Sequence, residues 1–186
     1  MNIERIIVGY LQENCYLIKS GNDALVVDPG DEIDKILSMI GDLNVIGILI
    51  THAHFDHVGA LNELLNIYNI PVYYHNVNNE LNYKKIINIE EKEYKINNFK
   101  FDAIYTPGHR NDSVTFYFKK EKIMFTGDFL FKLSIGRTDL EYGNDIEMYK
   151  SLELIKKYDD NTTIYPGHGD KSNLGFEKRN NNFLNY

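Results

Sequence analysis

The stretch Thr51-His52-Ala53-His54-Phe55-Asp56-His57 places three imidazole side chains and one carboxylate within a few residues of each other. The chain has six histidines among its 186 residues, so half of them lie in this one segment. Imidazole nitrogens and carboxylate oxygens are the ligands that zinc and similar divalent cations take in proteins. The segment therefore predicts a metal site, and we expect a catalytic one.

This segment joins a predicted strand to a predicted helix. Residues 45–50 form a continuous apolar run that is typical of a strand buried on both faces. Beyond the segment, apolar residues recur at helical spacing from Val58 to Tyr68 and predict a helix that starts near Val58. Residues 52–57 would then form a tight loop, from which an extended backbone would project His52 and His54 to the same side.

Three later strands are also predicted to lead into potential metal ligands. His109 follows the strand at 99–105, Asp128 follows the strand at 123–126, and His168 follows the strand at 162–165. Glycine or proline lies in each connection and allows a sharp turn. A set of seven ligands suits two metal ions that share one carboxylate and leave a position for water. The seven predicted ligands are His52, His54, Asp56, His57, His109, Asp128 and His168.

The rest of the chain alternates between strand and helix patterns. Short runs of β-branched or aromatic residues predict further strands at 3–8, 15–18, 24–27, 71–74 and 113–118. Helical spacing predicts helices at 33–40 and after Asn144, followed later by a polar helix-prone tail, whereas residues 76–95 give no clear pattern. This order is typical of the α/β class. A sandwich of two sheets flanked by helices fits it, as do other layer arrangements.

Composition narrows the class of protein. Hydrophobic residues make up 43% of the chain and charged residues 25%, which is ordinary for one globular domain spanning residues 1–186. The formal net charge of −7 argues against nucleic-acid binding, because phosphate contacts need clustered Lys and Arg. The sequence shows neither a membrane-spanning apolar run nor an export signal, and Cys15 is its only cysteine. We therefore expect a cytoplasmic protein that binds neither membranes nor nucleic acid.

With these motifs in this order, the chain resembles the metallo-β-lactamase superfamily. The resemblance rests on His-x-His-x-Asp-His at 52–57, followed by His109, Asp128 and His168. It extends to Val27-Asp28-Pro29-Gly30, Thr106-Pro107-Gly108-His109, Gly136-Arg137-Thr138-Asp139 and Tyr165-Pro166-Gly167-His168-Gly169. It implies an α/β fold of the αββα type, a four-layer sandwich of two mixed β-sheets flanked by helices, with the site at one edge of the sheets.

The resemblance also implies how the ligands divide between two divalent metal ions. The first metal would be held by His52, His54 and His109, and the second by Asp56, His57 and His168, with Asp128 bridging both. Asp28 would orient ligands from behind. Two close cations supply hydroxide at neutral pH. Asp56 would help to hold it, so Asp56 and Asp128 are the predicted catalytic residues. Zinc is the expected metal, with iron or manganese as alternatives.

Two further stretches resemble small single-domain glyoxalase II-like proteins, which are similar to hydroxyacylglutathione hydrolase. They are Ser134-Ile135-Gly136-Arg137-Thr138-Asp139-Leu140 and Glu177-Lys178-Arg179-Asn180. This likeness implies hydrolysis of a thioester such as S-lactoylglutathione. We expect no C-terminal helical domain of the kind that helps two-domain glyoxalase II enzymes bind glutathione, so the identity of the thiol stays open. The alternative on the same fold is a persulfide dioxygenase with one iron.

A few other residues carry narrower expectations. Arg137 would grip an anionic substrate or brace the site, with a structural salt bridge as the alternative. His75 is expected to be a hydrogen-bonded or surface histidine, and Cys15 a buried core thiol. Arg110-Asn111-Asp112 departs from the pattern of relatives after His109, and we expect this change at the rim of the pocket.

Overall fold

Two mixed β-sheets form the centre of the computed structural model, which describes residues 1–185. In spatial order, the first sheet contains β1 (Asn2–Val8), β2 (Glu13–Ser20), β3 (Asp23–Val27), β4 (Asn44–Leu49), β5 (Val72–Tyr74) and β6 (Ile86–Asn88). The second contains β14 (Ser172–Asn173), β13 (Thr163–Pro166), β10 (Ile123–Gly127), β9 (Val114–Phe118), β8 (Phe99–Tyr105) and β7 (Glu93–Ile96). A short hairpin pairs β11 (Leu130–Phe131) with β12 (Ser134–Ile135).

The helices cover the outer faces of these sheets. They are α1 (Ile33–Ile40), α2 (Phe55–Val58), α3 (Leu61–Ile67), α4 (Asp145–Ile155) and α5 (Leu174–Asn180). Alternation along β2 shows the layering, because Tyr16 and Ile18 pack between the sheets while Leu17 packs towards α1 and α3. On the other side, Met124 of β10 packs with Leu152 of α4. The predicted αββα sandwich is therefore confirmed.

One prediction about the histidine-rich segment is wrong. Residues 52–57 do not form a continuous loop, because the helical turn α2 begins at Phe55 and contains Asp56 and His57. The backbone N–H of His57 closes this turn on the carbonyl of His54 at 2.9 Å. The predicted helix is interrupted at Ala60, whose N–H donates to Pro29 across the sheet edge at 3.0 Å rather than to its own helix.

The unpatterned region at 76–95 contains the short strands β6 and most of β7, each of three or four residues. The predicted strands elsewhere agree with the observed ones to within a few residues, and the polar tail contains α5 as expected. No helix within residues 1–185 has the length and apolar character needed to cross a bilayer.

Candidate metal centre

The predicted ligands meet where several strands end. His52 and His54 follow β4, His109 follows β8, Asp128 follows β10, and His168 follows β13. Since β10 and β13 are parallel neighbours, their carboxyl ends deliver Asp128 and His168 to the same edge of the second sheet. The turn α2 adds Asp56 and His57 from the facing sheet. All seven predicted ligands therefore lie at one edge of the sandwich.

Three histidines, which we call the first trio, form one half of the cluster: His52, His54 and His109. Nδ1 of His54 lies 3.1 Å from Nε2 of His52 and 2.9 Å from Nε2 of His109. Burial, followed by the charges of His109 and Arg110, lowers the pKa of His54 to about 4. Burial also lowers the pKa of His52 and of His109. These rings are thus neutral at pH 7 and offer lone pairs to a cation.

The second trio consists of Asp56, His57 and His168. Oδ2 of Asp56 lies 3.3 Å from Nε2 of His168 and 3.9 Å from Nε2 of His57. Burial opposes the charge on Asp56, but the hydrogen bond from His168 and the charge of His57 keep its pKa below the ordinary value. The second trio therefore combines one carboxylate with two imidazoles, a donor set suited to a divalent cation.

The Asp128 carboxylate lies between the two trios. Its Oδ1 is 3.3 Å from Nε2 of His57, and its Oδ2 is 3.5 Å from Nε2 of His168. The same Oδ2 lies 3.6 Å from Nε2 of His109 in the first trio. Asp128 thus faces both groups of ligands, which is the position that a bridging carboxylate requires.

Hydrogen bonds behind the rings fix which nitrogen faces the cluster. Nδ1 of His109 donates to the carbonyl of Arg137 at 2.7 Å, and Nδ1 of His168 donates to the carbonyl of Leu11 at 3.1 Å. A carbonyl oxygen only accepts, so Nδ1 carries the proton in each ring. Nε2 of each ring is therefore directed at the centre, where its lone pair would be offered to a metal ion once Nε2 carries no proton.

Asp28 provides the same support to one histidine of each trio. Its Oδ2 accepts from Nδ1 of His57 at 3.0 Å and from the hydroxyl of Thr51 at 2.6 Å. Because the only hydroxyl proton of Thr51 is used in this way, Thr51 accepts from Nδ1 of His52 at 3.1 Å. Asp28 thus occupies the position that its predicted orienting role needs, and Thr51 is a relay that sequence reasoning missed.

The residues present fit two cations. Nε2 of His57 and Oδ1 of Asp128 are both buried and have no hydrogen-bond partner within residues 1–185. A lone pair facing a carboxylate oxygen in a buried site is costly unless a cation or proton lies between them. Gly167 preserves the space: a Cβ at this position would lie 2.3 Å from Oδ1 of Asp128 and 2.6 Å from Cε1 of His57.

The loop that carries His168, residues 166–169, is fastened to the first sheet. The Asn14 side chain donates to the carbonyls of Pro166 at 3.0 Å and Gly169 at 2.8 Å. The backbone N–H of Asn14 donates to the carbonyl of Gly167 at 2.7 Å, and the hydroxyl of Tyr16 donates to Pro166 at 2.7 Å. The last ligand in the sequence is therefore held by the beginning of the chain.

Arg110 and Asp112 lie deeper than predicted. We expected this segment at the rim of the pocket, but both side chains are buried, and Arg110 pairs with Asp112 at 3.0 Å and with Glu80. Asp112 also accepts from the backbone N–H of Ala53 at 3.0 Å and from the hydroxyl of Tyr74 at 2.5 Å. The network therefore braces the backbone between His52 and His54 instead of shaping the rim.

Glu13 is a second residue that the sequence did not reveal. Its side chain is buried, and neither carboxylate oxygen has a hydrogen-bond partner among the described residues. Oε1 lies 3.9 Å from Nδ1 of His57, on the side away from Asp128. Burial raises the pKa of this carboxyl well above its ordinary value. No local pattern distinguishes Glu13 from a surface residue.

Expectations for three further residues, Arg137, His75 and Cys15, can be compared with the structure. The Arg137 guanidinium forms a two-pronged ion pair with Asp139, both hydrogen bonds measuring 2.7 Å, while its carbonyl braces His109. The structure therefore shows the salt bridge and the bracing, both of which were among the alternatives. Cys15 is fully buried, as expected. His75 was expected to be hydrogen-bonded or at the surface, but its ring is half-buried and stacks on Tyr105 with centroids 4.2 Å apart, and its Nδ1 has no hydrogen-bond partner among the described residues.

Two named relatives match over essentially the whole chain. A probable metallo-hydrolase, YqgX from Bacillus subtilis, is 34% identical over 209 aligned residues, covering 100% of this chain and 98% of the relative. The hydroxyacylglutathione hydrolase GloC from Haemophilus influenzae is 32% identical over 209 residues, covering 100% and 99%.

Solved structures are similar over the same extent. The BLEG-1 B3 metallo-beta-lactamase has a TM-score of 0.91 at 30% identity, with all of both chains covered. TTHA1623, in a di-iron-bound form, has a TM-score of 0.87 at 34% identity, covering 97% of this chain and 100% of that one. ETHE1 from Myxococcus xanthus has a TM-score of 0.87 at 28% identity, covering 97% and 83%.

A profile of one family matches the chain and includes every predicted ligand. Residues 8–168 match the metallo-beta-lactamase superfamily. The matched range runs from the end of β1 to His168, so it contains both trios and Asp128. With the fold and the His/Asp cluster in agreement, the chain belongs to the metallo-beta-lactamase superfamily.

Proposed function

We propose that the chain is a dinuclear metal-dependent hydrolase of glyoxalase II type, a thioesterase acting on S-lactoylglutathione or a similar acyl-thiol. The main support for this proposal is the arrangement of two complete trios around a shared carboxylate, Asp128. Family membership and the His/Asp cluster support a metal-dependent hydrolase. The similarity to the hydroxyacylglutathione hydrolase of Haemophilus influenzae supports the finer assignment to thioesters.

In this proposal, the first trio would hold one ion and the second trio the other, and Asp128, which lies between the trios, would help to hold both. When bound, the ions would supply Lewis acidity that activates water and polarises the thioester carbonyl. The Asp56 carboxylate, itself a member of the second trio, is anionic at neutral pH and lines the cavity, where it would accept a hydrogen bond from the attacking water. We propose zinc as the metal, with iron or manganese also compatible with these donors.

A second candidate is a persulfide dioxygenase with a single iron. Its support is the similarity to ETHE1 from Myxococcus xanthus. The candidate needs one metal, whereas the second trio of this chain is as complete as the first. The hydrolase therefore accounts for more of the site.

Element analysis paired with activity assays separates the two candidates. Protein purified without added metal should contain two ions per chain and hydrolyse S-lactoylglutathione or another member of an acyl-glutathione panel. Asp56→Asn should lower kcat by about 100-fold or more, while Asp42→Asn, at an exposed position, should not change it. Two bound ions without activity on any thioester would rule out the thioesterase. One iron per chain, with O₂ consumed on glutathione persulfide, would establish the second candidate.

A further inference from the structure

The candidate metal centre opens into a cavity of about 360 Å³. Its walls include five of the seven predicted ligands. The remaining wall residues are Leu11, Phe55, Arg137 and Leu140. Three of these four side chains are apolar, so the part of the wall outside the predicted ligands is mainly non-polar.

Arg137 does not make the rim strongly cationic. Its guanidinium is engaged by both carboxylate oxygens of Asp139, and the pair has no net charge. The interaction holds the pKa of Asp139 at about 2, so the carboxylate stays ionised at neutral pH. An anionic substrate would have to compete with Asp139 for this cation. Among the wall residues outside the predicted ligands, the apolar side chains are therefore the ones that can contact a substrate without displacing another partner.

Phe55 is the most unusual member of the wall. This side chain is 61% exposed, although it follows the ligand His54 directly and begins α2. Its ring stacks at 6.4 Å on that of Tyr10, which is 81% exposed. Adjacent exposed aromatic rings at the mouth of a cavity are more informative than isolated surface apolar residues, because they form a continuous surface for contact.

The apolar wall continues beyond the metal ligands. A second cavity of about 170 Å³ shares Leu11, Phe55 and Asp56 with the first and extends past Tyr10. Two of the shared residues, Phe55 and Leu11, are tied directly to the metal centre. Phe55 lies between two predicted ligands in the sequence, and the Leu11 carbonyl accepts a hydrogen bond from His168. The apolar wall is thus held in a fixed position relative to the candidate metal centre.

We propose that Leu11, Phe55 and Leu140, extended by Tyr10, form an apolar subsite for the acyl group of the substrate. This inference rests on the proposed thioesterase function. A thiol such as glutathione is polar and charged, so the acyl group is the part of the substrate that suits this wall. The preferred acyl-thiols then carry an aliphatic or aromatic acyl group in place of a small polar one such as lactoyl.

Binding of non-hydrolysable thioethers tests the subsite apart from catalysis. S-methylglutathione and S-hexylglutathione would be titrated calorimetrically into the purified protein. A half-exposed wall should give about twofold tighter binding per methylene, and so about 30-fold tighter binding of the hexyl compound. Phe55→Ser should reduce this ratio to about tenfold or less. Ile67→Ser, which removes a similarly exposed apolar side chain at the end of α3, should leave it unchanged.

Equal affinity for the two thioethers, or a hexyl preference that survives in Phe55→Ser, would overturn the subsite. Parallel assays with S-hexanoylglutathione and S-lactoylglutathione separate this failure from failure of the proposed function. A higher kcat/KM for the hexanoyl compound supports the subsite, and equal values contradict it while leaving the thioesterase intact. If the protein hydrolyses neither compound but still binds the hexyl thioether more tightly than the methyl one, the proposed thioesterase function is wrong and the apolar subsite is supported.

Discussion

The Asp28 carboxylate lies 3.0 Å from Nδ1 of His57 and fixes the ring with its other nitrogen towards the candidate metal centre. The same carboxylate also accepts two hydrogen bonds from Thr51. It therefore acts only as an acceptor and serves ligands of both trios. An asparagine cannot reproduce this arrangement, since one end of its side chain is a donor.

We expect Asp28→Asn to weaken metal binding by about 10- to 100-fold, the usual cost of losing a partner behind a metal-ligating histidine. Competition with a chromophoric chelator would measure the change in affinity. Asp34→Asn, on the first turn of α1, is the matched control and should bind metal as the unaltered chain does. Unchanged affinity in Asp28→Asn would show that the two trios do not depend on this carboxylate.

The two trios should be separable by substitution. Asp56→Ala removes a ligand of the second trio and should reduce the metal content to about one ion per chain, because the first trio keeps its three imidazoles. His54→Ala should affect the other ion in the same way. Element analysis after dialysis against a weak chelator would measure both variants. Loss of both ions in Asp56→Ala would contradict the division of ligands.

Acid should release the second metal before the first. Burial opposes protonation of His57, but the carboxylates of Asp128 and Asp28 outweigh it and raise the pKa of this ring. In contrast, the pKa of His54 is lowered to about 4. A ring with a raised pKa retains its proton to higher pH, and a metal must displace that proton. Metal content measured by dialysis from about pH 7.5 down to about pH 5.5 should therefore fall first to one ion. Simultaneous loss of both ions would count against this order.

The buried pair of Arg110 and Asp112 should matter for stability as well as for the site. Arg110→Met leaves the Asp112 carboxylate buried without its cation, which costs about 3–5 kcal/mol in comparable pairs. Urea unfolding at fixed metal concentration would give the change in the free energy of unfolding. Arg179→Met makes the same chemical change at an exposed position and should cost less than about 1 kcal/mol. Equal costs for the two variants would show that the network does not brace the site.

Much of the site could be predicted because strand ends and residue types are both visible in the sequence. His109, Asp128 and His168 each follow a β-rich run through a turn, and parallel strands bring such positions to one edge. The prediction that His52 and His54 project to the same side also agrees with the structure, because alternate residues of an extended segment face the same side. The four-residue helix α2 was missed because so short a turn has no periodic signal.

Local sequence patterns could not predict the contacts of the supporting residues, because their partners are distant in the sequence. The orienting role of Asp28 was expected only through the family resemblance. Asp112 accepts from Ala53 across 59 positions, and Asp28 accepts from Thr51 across 23. Such contacts depend on strand order, which a local pattern does not contain. Arg110 illustrates the error: the residue follows a ligand, so it was placed at the rim, but the ion pair with Asp112 directs it inwards.

The hydrogen bonds between Asn14 and the loop at 166–169, which we call the clasp, also determine when the ligands of the metal centre can come together. Asn14 and Pro166 are 152 positions apart, so their contact closes a very long loop of the chain. Contacts of this separation form late in folding, after the local hairpins. During synthesis, the first residues of the clasp leave the ribosome long before the last. His168 can take its place only after residues 166–169 have been synthesised and have met Asn14, so a chain cut before residue 166 would lack a ligand of the second trio while keeping every residue of the first.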